Sequence, residues 1–156
     1  MEKLLATGRT DLLTRFISRK GRPFKAYLVK TPGGREVVER LLATADVVVE
    51  NFRPGTLDAL GLDAATVRAK HPKIVYCSIS GYGQTGPRRE EPGDDAEMTA
   101  EGGLMSITGA ADGPPYRLGV AIVDIVSGMF AAQGVLAALL ARATTGEGQV
   151  VDIGMF

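Results

Sequence analysis

From Lys25 onward, short continuous apolar runs alternate with segments in which apolar residues recur at helical spacing. KAYLV predicts a short strand over Lys25–Val29, a Thr-Pro-Gly-Gly turn follows, and the spacing in REVVERLLA predicts a helix over about Arg35–Ala43. ADVVVE then reads as a buried strand, which completes a βαβ unit with parallel strands. NFRPGTLDALG makes a Pro-Gly turn and a short helix, LDAATVRAKHP predicts a second helix closed by Pro72, and KIVYCSIS predicts another strand. GYGQTGPRREEPGDD is a long polar loop rich in Gly and Pro. AEMTAEGGLMSITG and DIVSGMFAAQGVLAALLARATTG read as helical, the second nearly all apolar, and GQVVDIGM is a final strand candidate. The pattern predicts an α/β fold with two or three parallel strands early and a buried helix late.

The first thirty residues break this pattern: Arg9, Arg15, Arg19, Lys20, Arg22 and Lys25 stand in a stretch without sustained apolar periodicity. Residues 1–24 are therefore set apart from a domain expected over 25–156. A chain of 156 residues with 45% hydrophobic residues is long enough for one domain with its own core. Its 18 basic and 18 acidic residues leave no net charge and point to no nucleic-acid partner. One cysteine, Cys77, excludes an internal disulfide, and the polar Met-Glu-Lys start lacks the apolar core of a secretion signal, so a cytoplasmic protein is expected. The longest apolar run, Met129–Ala141, is broken by Gln133 and too short to cross a bilayer, so no membrane partner is expected.

Three features carry less chemistry than their residue types suggest. GYGQTG matches the glycine spacing of a dinucleotide-binding turn, but Pro87 and RREEP follow where a helix should open beneath a pyrophosphate. His71, the one histidine, stands before Pro72 at a helix end and reads as a cap or surface group. Cys77 reads as a small buried hydrophobe within a strand. No Cys/His spacing suits a metal, and none is expected. Asp124 asks more: a carboxylate amid GVAIVDIVSGMFAAQG is either a helix cap or a group whose reactivity depends on poor solvation.

Together, KTPGGREVVERL, ADVVVENFRPG, KIVYCSISGYGQTGP, PGDD, GLMSITG, PYRLGVAIVDIVSGMFAAQGVLAALLAR and TGEGQVVDIGMF resemble the class III CoA-transferase (CaiB/BaiF) family, which also contains formyl-CoA transferases and the α-methylacyl-CoA racemases. The resemblance implies a Rossmann-like large domain, a small domain supplied later in the chain, and two interlocked subunits. It also implies that this chain is a fragment, since Met1–Arg22 does not resemble the family's opening strand and a long second half would normally follow GQVVDIGMF.

By the same resemblance the acyl-accepting aspartate falls on Asp124, through a mixed anhydride and an aspartyl-CoA thioester. Coenzyme A contacts fall on Tyr27, Leu28, Val29 and Lys30, on Asn51, Phe52 and Arg53, and on Pro92, Gly93, Asp94, Asp95 and Ala96. Lys30 and Arg53 can meet phosphate charge, and Phe52 offers an aromatic face to adenine. Yet strand-end lysines and solvated arginines are common without ligands, and Phe52 before Pro54 also suits a core. Racemases of the family carry a histidine where this chain has Asp94, so one-base/one-acid racemisation lacks a partner. The implied activity is acyl-CoA:carboxylate CoA transfer, with acyl-CoA and an acceptor acid as substrates and a homodimer, or pairing with a complete subunit, as the assembly. An inactive fragment that only binds coenzyme A or pairs, and a racemase, are the alternatives.

Overall fold

A computed structural model describes residues 32–156, and the chain divides into two compact units, residues 1–41 and 42–156. The expected strand at Lys25–Val29 therefore lies outside the described residues, as do Tyr27, Leu28, Val29 and Lys30. Helix α1 spans Pro32–Leu42 and begins three residues earlier than its periodicity predicts. Proline lacks only an amide that a first helical residue leaves unpaired anyway, so Pro32, Gly33 and Gly34 form the opening of the helix where the pattern predicts a turn. Arg40 and Glu36 pair one turn apart at 2.6 Å.

In the second unit β1 (Val47–Glu50), β2 (Val75–Ser80) and β3 (Val150–Gly154) form a parallel sheet in the order β1-β2-β3. Val47 pairs with Val75, and Tyr76 with Val150. The central strand is buried on both faces, which explains its near-continuous apolar run: Val75, Tyr76 and Cys77 are buried with Ile74 and Met98. Burial holds the Cys77 thiol above its ordinary pKa, as an inert core residue should be. Tyr76 closes its one polar bond inside, donating to the Leu62 carbonyl at 2.7 Å.

Helix α2 (Ala64–Lys70) joins β1 to β2 and starts at Asp63, whose carboxylate accepts from the Thr66 amide at 2.9 Å and from its hydroxyl at 2.6 Å. His71 is its C-cap, donating its backbone N–H to the Val67 carbonyl at 2.9 Å. Helix α3 covers Asp95–Glu101, a 3-10 turn follows at Leu104–Ile107, and helix α4 runs from Ile122 to Thr145.

Helix α4 lies on the sheet through small residues. Ser127, Ala131 and Ala138 are buried, and a Cβ added at Gly134 would come within 2.7 Å of Val151 Cγ1. These positions share one face at helical spacing. At the far end Arg142 donates to the Lys73 carbonyl at 2.9 Å and to Asp46 Oδ1 at 2.8 Å, tying the helix C-terminus to the amino edge of the sheet. The apolar run read from the sequence understates this helix. It has 24 residues, with a mean hydropathy of 1.8 over its most apolar 18-residue window, and is by length and composition long enough to cross a membrane. Asp124, Gln133 and Arg142 bound or interrupt the run without ending the helix.

The Asp63 cap gives a pH prediction. Its side-chain bond from Thr66, reinforced by the Thr66 amide, holds the Asp63 carboxyl below its ordinary pKa. A lowered folded-state pKa adds stability that is present above the unfolded value and lost as pH falls through the folded one. Asp63→Ala is expected to cost about 0.5–2 kcal/mol at neutral pH. It should also flatten the loss of stability below about pH 4, read from urea midpoints across an acid series.

Candidate active site

Parallel strands all end on one edge, so the segments leaving them converge. After β1 come Asn51, Phe52 and Arg53, with the Phe52 amide donating to the Glu50 carboxylate at 2.9 Å. After β3 the chain continues to track β2, Met155 donating to the Ser80 carbonyl at 2.9 Å and Phe156 to that of Gly81 at 3.0 Å. After β2 a long loop leaves at Gly81 and returns at Pro92–Asp95 to open α3.

The returning loop crosses the end of β2 at backbone distance. A Cβ on Gly81 would stand 2.8 Å from Gly93 Cα, and one on Gly93 would stand 2.5 Å from Gly81 Cα. Only hydrogen fits at either place. Between the two glycines the loop is folded back by Arg88, whose guanidinium lies 3.8 Å from the centre of the Tyr82 ring and pairs with Glu91 and Glu101 at 2.7 Å each. The hydrogen bond from Arg88 holds the Glu101 carboxyl below its ordinary pKa. No helix opens after GYGQTG, consistent with setting the dinucleotide reading aside.

Asp94 and Asp95 then take separate tasks. Asp94 caps its own helix, accepting from the Glu97 amide at 2.9 Å. Asp95, only 5% exposed, turns to α4 and accepts from the amides of Val123 at 2.8 Å and Asp124 at 3.3 Å, with the Arg117 guanidinium 3.8 Å from its other oxygen. Helix α4 therefore begins at Ile122, with Ala121 in the cap position and no side chain of its own to fill it. This settles one half of the question Asp124 raises: the cap is Asp95, and Asp124 is the third residue of the helix. It is exposed, and among the described residues no hydrogen bond engages its carboxylate. The poorly solvated acid expected from its apolar surroundings is not met, because the Asp124 carboxylate borders an open cleft.

Two adjoining clefts occupy the carboxyl edge of the sheet. One, of about 330 Å³, is bordered by Asn51, Asp94, Asp95, Asp124, Ser127 and Met155. The other, of about 300 Å³, shares Asn51, Gly93, Asp94 and Met155 with it and adds Phe52, Arg53 and Pro92. Of the site residues expected from sequence, eight thus border the two clefts, namely Asn51, Phe52, Arg53, Pro92, Gly93, Asp94, Asp95 and Asp124. Ala96 lies one residue inside α3 and borders neither. Sequence reasoning missed Ser127, which follows Asp124 by three positions on the same helix face, and missed that Asp95 holds α4.

The described residues thus form an open parallel sheet with clefts at its carboxyl edge, Phe52 and Arg53 bordering one and Asp124 the other. Residues 28–156 match CoA-transferase family III, and the chain belongs to that family. It is 45% identical over 127 residues to the succinate–glutarate CoA-transferase of Agrobacterium fabrum, covering 81% of this chain and 32% of that protein. It is also 45% identical over 128 residues to the succinyl-CoA–D-citramalate CoA-transferase of Chloroflexus aurantiacus, covering 82% and 32%. The crystal structure of a CaiB/BaiF family protein from Brucella suis superposes with a TM-score of 0.80 at 45% identity, over 82% of this chain and 34% of that one. The chain thus spans about a third of the length of these relatives. Residues 1–39 separately match the C-terminal repeat of topoisomerase, and the basic segment set apart by its composition falls within that match.

The glycine crossing can be tested by one substitution made twice. Gly93→Ala forces backbone against backbone and is expected to destabilise by about 1–3 kcal/mol. Gly128→Ala, where a Cβ would meet nothing within 4 Å, removes a helix-interior glycine and is expected to stabilise by about 0.5–1 kcal/mol. Chemical denaturation of the two variants beside the parent checks the opposite signs.

Proposed function

We propose that this chain carries the coenzyme A site and the nucleophile of an acyl-CoA:carboxylate CoA-transferase. The observation that carries the reading is the convergence of Asn51–Arg53, Pro92–Asp95 and Asp124 on two adjoining clefts at one sheet edge. Arg53 supplies charge for phosphate, Phe52 an apolar face for adenine, and Asp124 the acyl acceptor.

In the proposed reaction a carboxylate oxygen of Asp124 attacks the thioester carbon, the C–S bond breaks, and a mixed anhydride and coenzyme A thiolate result. The thiolate attacks the aspartyl carbonyl and releases the donor acid, leaving an aspartyl-CoA thioester. An acceptor carboxylate attacks that carbonyl and expels the thiolate, which then attacks the acceptor's acyl carbon, forming the new acyl-CoA and restoring Asp124. No net proton is taken up, in keeping with a site whose clefts contain no histidine. Asp94, at the position where racemases of the family carry a base, is engaged as the cap of α3, which favours transfer over racemisation.

A carboxylate is a weak nucleophile in water, so the open side of the cleft needs a cover. The outer face of α4 presents Ile125, Met129, Leu136 and Leu140 at 50%, 57%, 66% and 76% exposure. The reading assigns this face to a second copy of the chain or a complete subunit, in the manner of an interlocked dimer. A second reading, favoured by an Asp124 carboxylate that is exposed and engaged by no hydrogen bond among the described residues, is a chain that binds coenzyme A without chemistry.

Intact mass after incubation with succinyl-CoA separates the two. Transfer predicts an adduct of succinyl or coenzyme A mass that hydroxylamine converts to a hydroxamate, and Asp124→Asn is expected to abolish it. Because Asp95 caps α4, Asp124→Asn and Asp124→Ala should both fold, at a cost of about 0.3–1 kcal/mol. An adduct that persists in Asp124→Asn contradicts the assignment, and calorimetric binding of coenzyme A without an adduct supports the second reading. Size-exclusion chromatography with light scattering is expected to give dimers or larger species, and a sharp monomer peak with a cooperative melt would contradict the covered face.

A further inference from the structure

Asp95 is a buried acid that the reaction above does not use. Resting on the reading of Asp124 as nucleophile, we infer that Asp95 is the positioning residue for Asp124, fixing the nucleophile against the sheet by holding its backbone amide. The first amides of a helix have no partner within it, and the residue at the cap position of α4 is an alanine. Asp95 Oδ1 takes two of those amides, Val123 at 2.8 Å and Asp124 at 3.3 Å, from 28 and 29 residues away.

Asp95 is itself constrained from both sides. It opens α3, whose start is capped by Asp94, and its carbonyl accepts from the Thr99 hydroxyl at 2.5 Å. Two residues earlier Gly93 touches Gly81 at the end of β2. The carboxylate is therefore a rigid link between sheet and helix start, and displacing the helix start displaces the Asp124 carboxylate. A local cap would stabilise the helix equally well but would not fix where its first turn stands.

The test uses the full chain, with succinyl-CoA as probe, and compares Asp95→Ala with Asp95→Asn, which keeps the accepting oxygen. Expected for Asp95→Ala is a fall of about 100-fold in the rate of adduct formation at saturating succinyl-CoA, the order of loss a misplacement near 1 Å produces. Asp95→Asn should recover most of the rate. Amide hydrogen exchange gives an arm independent of chemistry: Val123 and Asp124 should lose protection in Asp95→Ala while the helix beyond Ala131 keeps it. An unchanged adduct rate or unchanged protection in Asp95→Ala overturns the inference, as does an Asp95→Asn protein as slow as Asp95→Ala. Failure of the underlying reading looks different, since the adduct is then absent from the parent or persists in Asp124→Asn.

Discussion

The contact between Gly81 and Gly93 governs the site. A strand end and a returning loop approach within backbone distance, which no pair of side-chain-bearing residues allows. That approach brings the start of α3 to the carboxyl edge of the sheet and places Asp95 beneath the first turn of α4. From there the order of dependence is short. The sheet fixes the loop, the loop fixes a buried carboxylate, the carboxylate fixes a helix start, and the helix start carries the exposed acid. The Arg88 pairs with Glu91 and Glu101 matter less, because exposed ion pairs contribute little.

Helix α4 reconciles two demands on one element. Its inner face is built from Ser127, Ala131, Gly134 and Ala138, small enough for close approach to β3, and its outer face presents large aliphatic side chains. A helix apolar on both sides is stable only with both sides covered. The described residues cover one. Polar anchors at its ends, Asp95 at the start and Arg142 with Asp46 and Lys73 at the finish, hold it in register on the sheet whatever covers the other face.

Much of this was legible in the sequence, and the rest failed for identifiable reasons. ADVVVE, KIVYCSIS and GQVVDIGM read directly as strands, because short β-branched apolar runs suit a parallel sheet, although only the central strand is buried nearly throughout and β1 and β3 keep exposed positions such as Val49 and Val150. Asn51–Arg53 and Pro92–Asp95 could be placed together only through the family resemblance, since nothing local links segments forty residues apart. An acid before an apolar run looks like a cap, so the pattern places the start of α4 near Asp124; the true cap reaches in from α3 and leaves no local trace. Gly81 was visible as part of GYGQTG, but the reason for its glycine is Gly93, a relation of space and not of spacing. The membrane-length character of α4 was missed because a polar residue ends an apolar run in a sequence without ending a helix.

The central claim is that the carboxylate of Asp124 exchanges oxygen with the acids it serves. In the proposed reaction the acceptor acid attacks the aspartyl carbonyl with its own oxygen, and that oxygen remains on the aspartate when coenzyme A takes the acyl group. The most direct measurement is peptide mass mapping after turnover with succinyl-CoA and an acceptor acid labelled with oxygen-18 in its carboxylate. The account predicts oxygen-18 in the peptide containing Asp124, localised by fragmentation to that side chain. An unlabelled Asp124 in a chain that has turned over, or label on Asp94, Asp95 or Asp152 instead, would contradict it.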